Sequence, residues 1–513
     1  MRSFPVAILA ALLLSTAAAD SRSEEVSAGG KPNIVVFLVD DMGLMDTSVP
    51  FLTDEDGNPE IHPLNEFYRT PGIARLAATG TRFSQFYAMS VCSPTRASIM
   101  NGQTSARHTT TQFIKPENKN TGTLGPRAWK WEGFVEGDIT LPALLREVGY
   151  RTIHAGKAHF GPNGSFASDP TNLGFDINIG GCAYGQPGSY YGTDHFGWAK
   201  KGREKRAVPG LEKYHGKDIF LTEALTLEIN KAITEAVEEE KPFFAYMSHY
   251  AVHTPFQSDE RFARNYSDVG KKSLGAYATL IEGMDKSLND MLDHLEELGV
   301  AENTLVMFLG DNGSDAPAGG THDIASSAPL RAKKGTHYEG GMRVPFIASW
   351  AKPDPENAFQ KERPIPSGVI NSTDIGVVYD VFTTALDVAG GDYGNHVVDG
   401  IDLTPVFSSA TGSTSSREFL MHFPHSHRSS YFTAFRKGDW KLIYHYDKPS
   451  GPSDDKVELF NLSEDRNESF NLVLSNPEKL REMMEAMKAA LEESGAQLPL
   501  SKDGGEPHLP SLH

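Results

Sequence analysis

Cysteine is almost missing from this chain: Cys92 and Cys182 are the only two among 513 residues. A disulfide-stapled scaffold is thereby excluded, because one bridge is the most that two cysteines allow. Basic residues are also in deficit, 48 Lys and Arg against 67 Asp and Glu, for a net charge of −19. Nucleic acid is bound chiefly through Lys and Arg, so no nucleic-acid partner is expected. The same negative field repels anions at long range, so an anionic substrate would require cations gathered locally. Internal repeats are lacking, and beyond the N-terminus no apolar run is long enough to span a bilayer. What is present suits a folded protein: 39% hydrophobic and 10% aromatic residues, neither disordered nor fibrous in character. The length implies one large domain with a smaller one, or two to three domains.

Residues 1–19 read as a secretory signal, with Arg2, an apolar run at 6–14 and the small residues Ala17, Ala18 and Ala19 before Asp20. The run is short for a membrane anchor, and no cysteine lies beside the cleavage point. The expectation is an exported protein, periplasmic or secreted, without a membrane span. Residues 20–31 are polar and read as a flexible leader.

Asn33–Val39 is an apolar run without alternation, as expected of a strand covered on both faces. Similar runs occur at 243–247 and 305–309, and helical patterns at 141–147, 223–240, 277–298 and 375–388 lie between or after them. Strands alternating with helices predict an α/β fold: a large, mixed, mostly parallel sheet sandwiched by helices. This domain would occupy residues 32–407, and the polar stretch 408–416 (SSATGSTSS) reads as a linker. Residues 417–498 predict a smaller C-terminal α+β subdomain, with antiparallel strands at 431–435, 440–446 and 457–460 and a helix at 477–493. The turn-rich 449–455 reads as a hairpin loop.

Ligands of open α/β sheets lie at the carboxyl ends of strands. That rule selects Asp40 and Asp41, residues 249–253, and Asp311 with Asn312. In the segment Cys92-Ser93-Pro94-Thr95-Arg96, Pro94 suits a helix start, which places Cys92 where the helix dipole favours negative charge. Arg96, four residues on, is positioned to reach back towards it. Taken singly, these features have ordinary explanations: a buried structural cysteine, Asp-rich loops, turns at Asn-Gly.

Cys-x-Pro-x-Arg at 92–96 resembles the signature of the formylglycine-dependent (type I) sulfatases, in which that cysteine is oxidised to formylglycine. The likeness extends through Asp40-Asp41, Gly156-Lys157-Ala158-His159, His253-Thr254-Pro255-Phe256, Asp311-Asn312-Gly313, Leu330 to Gly335 and Asp439-Trp440-Lys441. It is to the exported bacterial carbohydrate sulfatases and arylsulfatases, and it implies an alkaline-phosphatase-like fold and sulfuric ester hydrolysis. By resemblance Asp40, Asp41, Asp311 and Asn312 hold a metal; their oxygens suit a hard ion, calcium, with magnesium as the alternative. Lys157 contacts the sulfate and the nucleophile, His159 orients the nucleophile, and His253 contacts the sulfate and protonates the leaving oxygen. Lys334 is the second sulfate-binding lysine, and Lys333 is expected in solvent. Lys157 and His159 alternate on a stretch expected to be extended, which points both to one side. Family members often carry an aromatic residue where this chain has Ala158, a change expected to enlarge the pocket or alter local packing.

The implied substrate is a sulfated carbohydrate, or an aryl sulfate in vitro, and the implied partner a formylglycine-generating or anaerobic sulfatase-maturating enzyme. Candidate specificity residues are His195 and Trp198 within the insert 180–214, His322 with Asp323, and the group His422, His425, His427 and Arg428. Two rival functions carry over: a phosphate or phosphonate ester hydrolase on the same scaffold, and a carbohydrate-binding homologue without activity. With Cys92 converted, Cys182 would be left unpaired.

Overall fold

Alternate residues of the Asn33–Val39 strand enter different cores. Ile34, Val36 and Leu38 pack into one apolar cluster, and Val35, Phe37 and Val39 into the other. This is the period-2 geometry of a strand buried on both faces. The strand sits near the middle of an eight-stranded sheet in the computed structural model, which describes residues 30–114, 123–408, 413–447, 455–501 and 505–512. The export signal at 1–19, the leader to residue 29, residues 409–412 of the linker and residues 449–454 of the expected hairpin loop fall outside the described residues.

From one edge the sheet runs Val369–Asn371, Thr81–Phe83, Phe346–Trp350, Thr304–Gly310, Asn33–Val39, Phe243–Ser248, Arg151–Gly156 and Ile177–Ile179. Phe346–Trp350 is antiparallel to both neighbours, and every other pairing is parallel. On one face lie the helices Pro71–Thr79, Leu221–Glu238 and Lys272–Glu297; on the other lie Cys92–Asn101, Leu141–Glu147 and Asp380–Val388. The fold is therefore the mixed, mostly parallel α/β sandwich expected.

The C-terminal strands Glu418–Phe423, Phe432–Lys437, Trp440–His445 and Val457–Asn461 form an antiparallel sheet. Phe419, Met421, Phe432 and Ile443 on one face join the core around the Cys92–Asn101 helix. Leu420, Phe435 and Leu442 on the other face pack against Leu480, Met483 and Met487 of the helix Pro477–Glu493. The described residues from Pro32 onward form one compact unit. Among the described residues no helix is long and apolar enough to cross a membrane.

Two local expectations need correction. The helix expected at 375–388 begins only at Asp380, and Gly376–Val377 instead pairs with Phe86–Tyr87 as a short strand. Glu418–Phe423 was not anticipated, because its charged start follows directly on the polar linker and masks a buried run.

Candidate active site

Four neighbouring parallel strands end together. Thr304–Gly310 leads into Asp311 and Asn312, Asn33–Val39 into Asp40 and Asp41, Phe243–Ser248 into the loop carrying His253, and Arg151–Gly156 into Lys157. Backbone bonds lock these ends: Asp40 N–H donates to Ala251 O (3.0 Å), Val252 N–H to Asp40 O (2.7 Å) and Lys157 N–H to Ser248 O (2.7 Å). Gly156 is required here, because its φ is +98° and a Cβ would lie 1.9 Å from the Ser248 carbonyl oxygen.

The carboxylates of Asp40, Asp41 and Asp311 converge within 4.8 Å in full burial. Such a cluster requires counter-charge. Lys157 Nζ donates to Asp40 Oδ2 at 2.7 Å, and Lys334 Nζ donates to Asp41 Oδ1. The Arg96 guanidinium donates to Asp311 Oδ2 through Nε (3.0 Å) and Nη2 (2.9 Å), and through Nη1 to Lys157 O and Ser248 Oγ. Burial raises the Asp40 carboxyl well above the usual range, with Lys157 only partly offsetting it. Burial acts on Asp41 in the same sense, but Lys334 and His253 hold it well below that range. Asp311 is likewise lowered against burial, mainly by Arg96. Asp41 in turn lifts Lys334 above the lysine range, against the effect of burial.

Three buried oxygens accept no hydrogen bond from the protein: Asp40 Oδ1, Asp41 Oδ2 and Asn312 Oδ1. Unpartnered oxygens in an acidic cluster are what a hard cation coordinates. The residues present therefore fit an all-oxygen calcium or magnesium site.

Cys92 opens the helix Cys92–Asn101, and no side chain caps that N-terminus. The positive end of the helix therefore faces the thiol. Cys92 Sγ lies 3.4 Å from His159 Nδ1, and His159 Nε2 lies 2.7 Å from Ile114 O. Burial, reinforced by Lys157, holds this imidazole well below its ordinary pKa. The ring is therefore neutral, and the carbonyl assigns its proton to Nε2, leaving Nδ1 as an acceptor aimed at position 92. His253 Nε2 is 3.6 Å from Asp41 Oδ2. Burial lowers His253 to about 3, outweighing the pull of Asp41, and Lys334 and Lys157 add to the lowering. Cys92, His159, His253 and Lys334 line a cleft of about 540 Å³.

Several expectations are corrected in detail. Arg96 does not turn back to Cys92; its guanidinium is spent on Asp311 and two strand-end groups. Lys157 and His159 are not placed by an extended stretch, since the strand ends at Gly156 and His159 has a φ of +58°. Lys333 is not in solvent: it is 8% exposed, with Nζ donating to Ala316 O at 3.1 Å. Ala158 is buried in the core and is not among the residues that line the cleft.

Among the specificity candidates, His195 does not line the cleft; it is exposed and stacks on His215, with centroids 4.9 Å apart. Trp198 and His322 also lie outside its lining. His422 and His425 are buried structural residues bonded to Thr433 Oγ1 and Thr111 Oγ1, both at 2.8 Å. His427 and Arg428 do face the cleft, and Arg428 is anchored bidentately on Asp315. Asn163, Gln186 and Arg206 also line the cleft and were not anticipated. The basic run at 200–206 (KKGREKR), unusual in so acidic a chain, was the available signal for Arg206. Both cysteines are free.

Comparison with known proteins sets these features in context. The Sulfatase family profile matches residues 32–391. A sulfatase of Formosa agariphila is 27% identical over 93% of this chain and 90% of its own length. Mouse N-acetylgalactosamine-6-sulfatase is 30% identical over 73% of this chain, and the match spans 66% of that enzyme. Among solved structures, Ps i-CgsB in complex with k-i-k-neocarrahexaose superposes with a TM-score of 0.70 at 23% identity, over 91% of this chain and 94% of that one. The PsFucS1 sulfatase from Pseudoalteromonas sp. gives 0.63 at 24% identity, over 91% of each chain. These structural likenesses establish a shared fold.

Proposed function

The chain belongs to the sulfatase family of sulfuric ester hydrolases, and on that premise we propose that it removes sulfate from a sulfated carbohydrate through a nucleophile built at Cys92. The supporting observation is the placement of Cys92. Its side chain faces the unprotonated Nδ1 of His159, in a cleft shared with His253 and Lys334 above three convergent aspartates. The sugar class is supported by relatives named for N-acetylgalactosamine sulfate and by a neighbour bound to a carrahexaose.

Oxidised to formylglycine and hydrated, position 92 would supply one hydroxyl to attack sulfur and a second whose deprotonation releases sulfate and restores the aldehyde. Calcium held by Asp40, Asp41, Asp311 and Asn312 would supply Lewis-acid polarisation of the sulfate and the attacking hydroxyl.

The chain's own groups cover the remaining work. Lys334 and Lys157, each seated on an aspartate, provide fixed positive charge where negative charge develops. Arg96 is fully enclosed and positions Asp311 and the Lys157 backbone. His159 Nδ1 is placed to take the proton from the second hydroxyl. His253 is neutral at rest because burial and the two lysines hold its protonation down. An anionic sulfate beside those lysines offsets their charge, so His253 acquires a proton on substrate binding and delivers it to the leaving alkoxide.

The test is a side-by-side assay of enzyme with verified aldehyde content on aryl sulfate, aryl phosphate, aryl phosphonate and a panel of sulfated mono- and oligosaccharides. Release of sulfate from one or more sugars, abolished by Cys92→Ala, is expected. Preferential cleavage of the phosphate or phosphonate ester would overturn the assignment.

A further inference from the structure

A second cluster with metal-ligand chemistry lies apart from the catalytic cleft. His337, in the loop three residues after Lys334, meets His445 at the end of strand Trp440–His445 and Glu458 in strand Val457–Asn461. All three are buried, and one ligand atom of each lies within 4.8 Å of the others. His445 Nε2 is 3.1 Å and His337 Nε2 is 3.8 Å from the same oxygen, Glu458 Oε2. A tetrahedral ion with zinc-like bond lengths spaces its ligand atoms about 3.3 Å apart.

The surroundings orient the rings for such a role. Ser429 Oγ bonds His337 Nδ1 at 2.7 Å, and the next residue, Ser430, bonds His445 Nδ1 through Oγ at 2.8 Å. Both Nε2 atoms are thereby turned inward, towards Glu458. Tyr338 OH donates to the Glu458 carboxylate at 3.0 and 3.1 Å, which steadies it. Outer contacts of this kind fix the tautomer and direction of metal-binding imidazoles.

Two observations point to a missing cation. His337 Nε2 is buried and has no hydrogen-bond partner. Among the described residues no Lys or Arg lies within 4 Å of the buried Glu458 carboxylate, whose ion-pair neighbours are the two imidazoles alone. A buried carboxylate without a permanent cation is costly, and a divalent ion removes that cost. Neutral imidazole is also the ligating form.

We propose that His337, His445 and Glu458 form a structural transition-metal site, of the kind zinc fills, that ties the Lys334 loop to the C-terminal sheet. Two imidazoles and one carboxylate favour zinc over calcium. Water would complete the shell around these three ligands. The proposal does not depend on the catalytic reading.

The experiment uses full-length protein carrying Cys92→Ala and Cys182→Ser, so that no thiol competes for metal, stripped with chelator and kept in calcium. Zinc is titrated and metal content measured after dialysis. Cobalt is added separately as a spectroscopic probe. About one equivalent of retained zinc is expected, with a tetrahedral cobalt d–d spectrum and a thermal midpoint raised by zinc. His445→Gln and Glu458→Gln should each abolish retention without changing calcium content. Retention of no zinc, an octahedral cobalt spectrum, or unchanged zinc in both folded variants would overturn the proposal. Should either variant misfold, the zinc and cobalt titrations of the parent protein still decide.

Discussion

Lys333 and Lys334 are adjacent, both buried, and expected to behave in opposite ways. Lys334→Met preserves length and volume while deleting the ammonium seated on Asp41. Asp41 then keeps only Asn312 Nδ2 at 3.0 Å and His253 Nε2 at 3.6 Å. Breaking one partner of a buried pair costs about 3–5 kcal/mol, a large part of the roughly 5–15 kcal/mol that holds a domain folded. The thermal midpoint should fall by about 5 °C, and excess calcium should restore more of it than in the parent, because the ion replaces the lost charge beside Asp41. Removal of one transition-state cation should lower kcat/KM by about 10²–10³. Lys333→Met loses a bond to the Ala316 carbonyl and a 3.8 Å approach to Asp315, which retains Arg428. Its cost should be about 1 kcal/mol, with kcat/KM held within roughly threefold. Aryl sulfate kinetics on variants matched for aldehyde content give the comparison. Equal losses in both variants, or Lys334→Met keeping most of its kcat/KM, would refute the assignment of Lys334.

Three further outcomes are expected. Cys92→Ala should keep its thermal midpoint and lose turnover, while the native-source peptide carrying Cys92 should be lighter by one H₂S less one oxygen; an unmodified thiol there, with full activity, contradicts the scheme. His108, His154, His249 and His425 are each lowered by burial to about 3 from 6.5, so the unfolded chain binds their protons first. Stability is therefore complete above pH 6.5 and declines as pH falls towards 3, each imidazole contributing up to about 1.4 kcal/mol per pH unit. Asp46 and Asp285, raised by burial to about 6 and about 7, act in the opposite sense but are fewer; a urea midpoint that rises between pH 7 and pH 5 would reverse this reasoning. Lys441 is fully buried between Glu339 Oε1 (2.9 Å) and Glu468 Oε1 (2.6 Å). Lys441→Met should cost about 3–5 kcal/mol, part of it recovered by adding Glu468→Gln, as read by urea unfolding.

How much was legible depended on whether a residue's task was local. The central strands were readable from hydrophobic run length, and the helices 141–147 and 477–493 from apolar residues recurring at helical spacing. Asp40, Asp41, Asp311 and Asn312 were readable because a parallel sheet delivers its strand ends to one edge. Lys333 was misjudged because adjacent residues usually part between core and solvent, whereas here a non-regular loop buries both. His195 was misplaced for a related reason: the insert 180–214 folds through short 3₁₀ turns with no periodicity to say which side faces inward. The His337 cluster was illegible because His337 lies more than 100 positions before His445 and Glu458, and only the packing of the C-terminal sheet brings the three together.

Charge provides the last step. The chain carries −19 overall, yet its proposed substrate is an anion. At the strand ends, the three carboxylates of Asp40, Asp41 and Asp311 are met by the three cations Arg96, Lys157 and Lys334. The cluster alone is close to neutral, and a divalent cation on its unpartnered oxygens would leave it at about +2. Arg206 on the cleft lining adds to this locally, whereas Arg428 is offset by Asp315. Burial makes that excess count for more than the diffuse surface charge, which salt screens beyond about 10 Å. The metal would thus convert a self-compensating buried cluster into an anion site, so calcium removal should weaken binding of a non-hydrolysable sulfate analogue as well as turnover. An analogue Kd that is indifferent to calcium would show that the lysines suffice for binding and that the metal acts only in the chemical step.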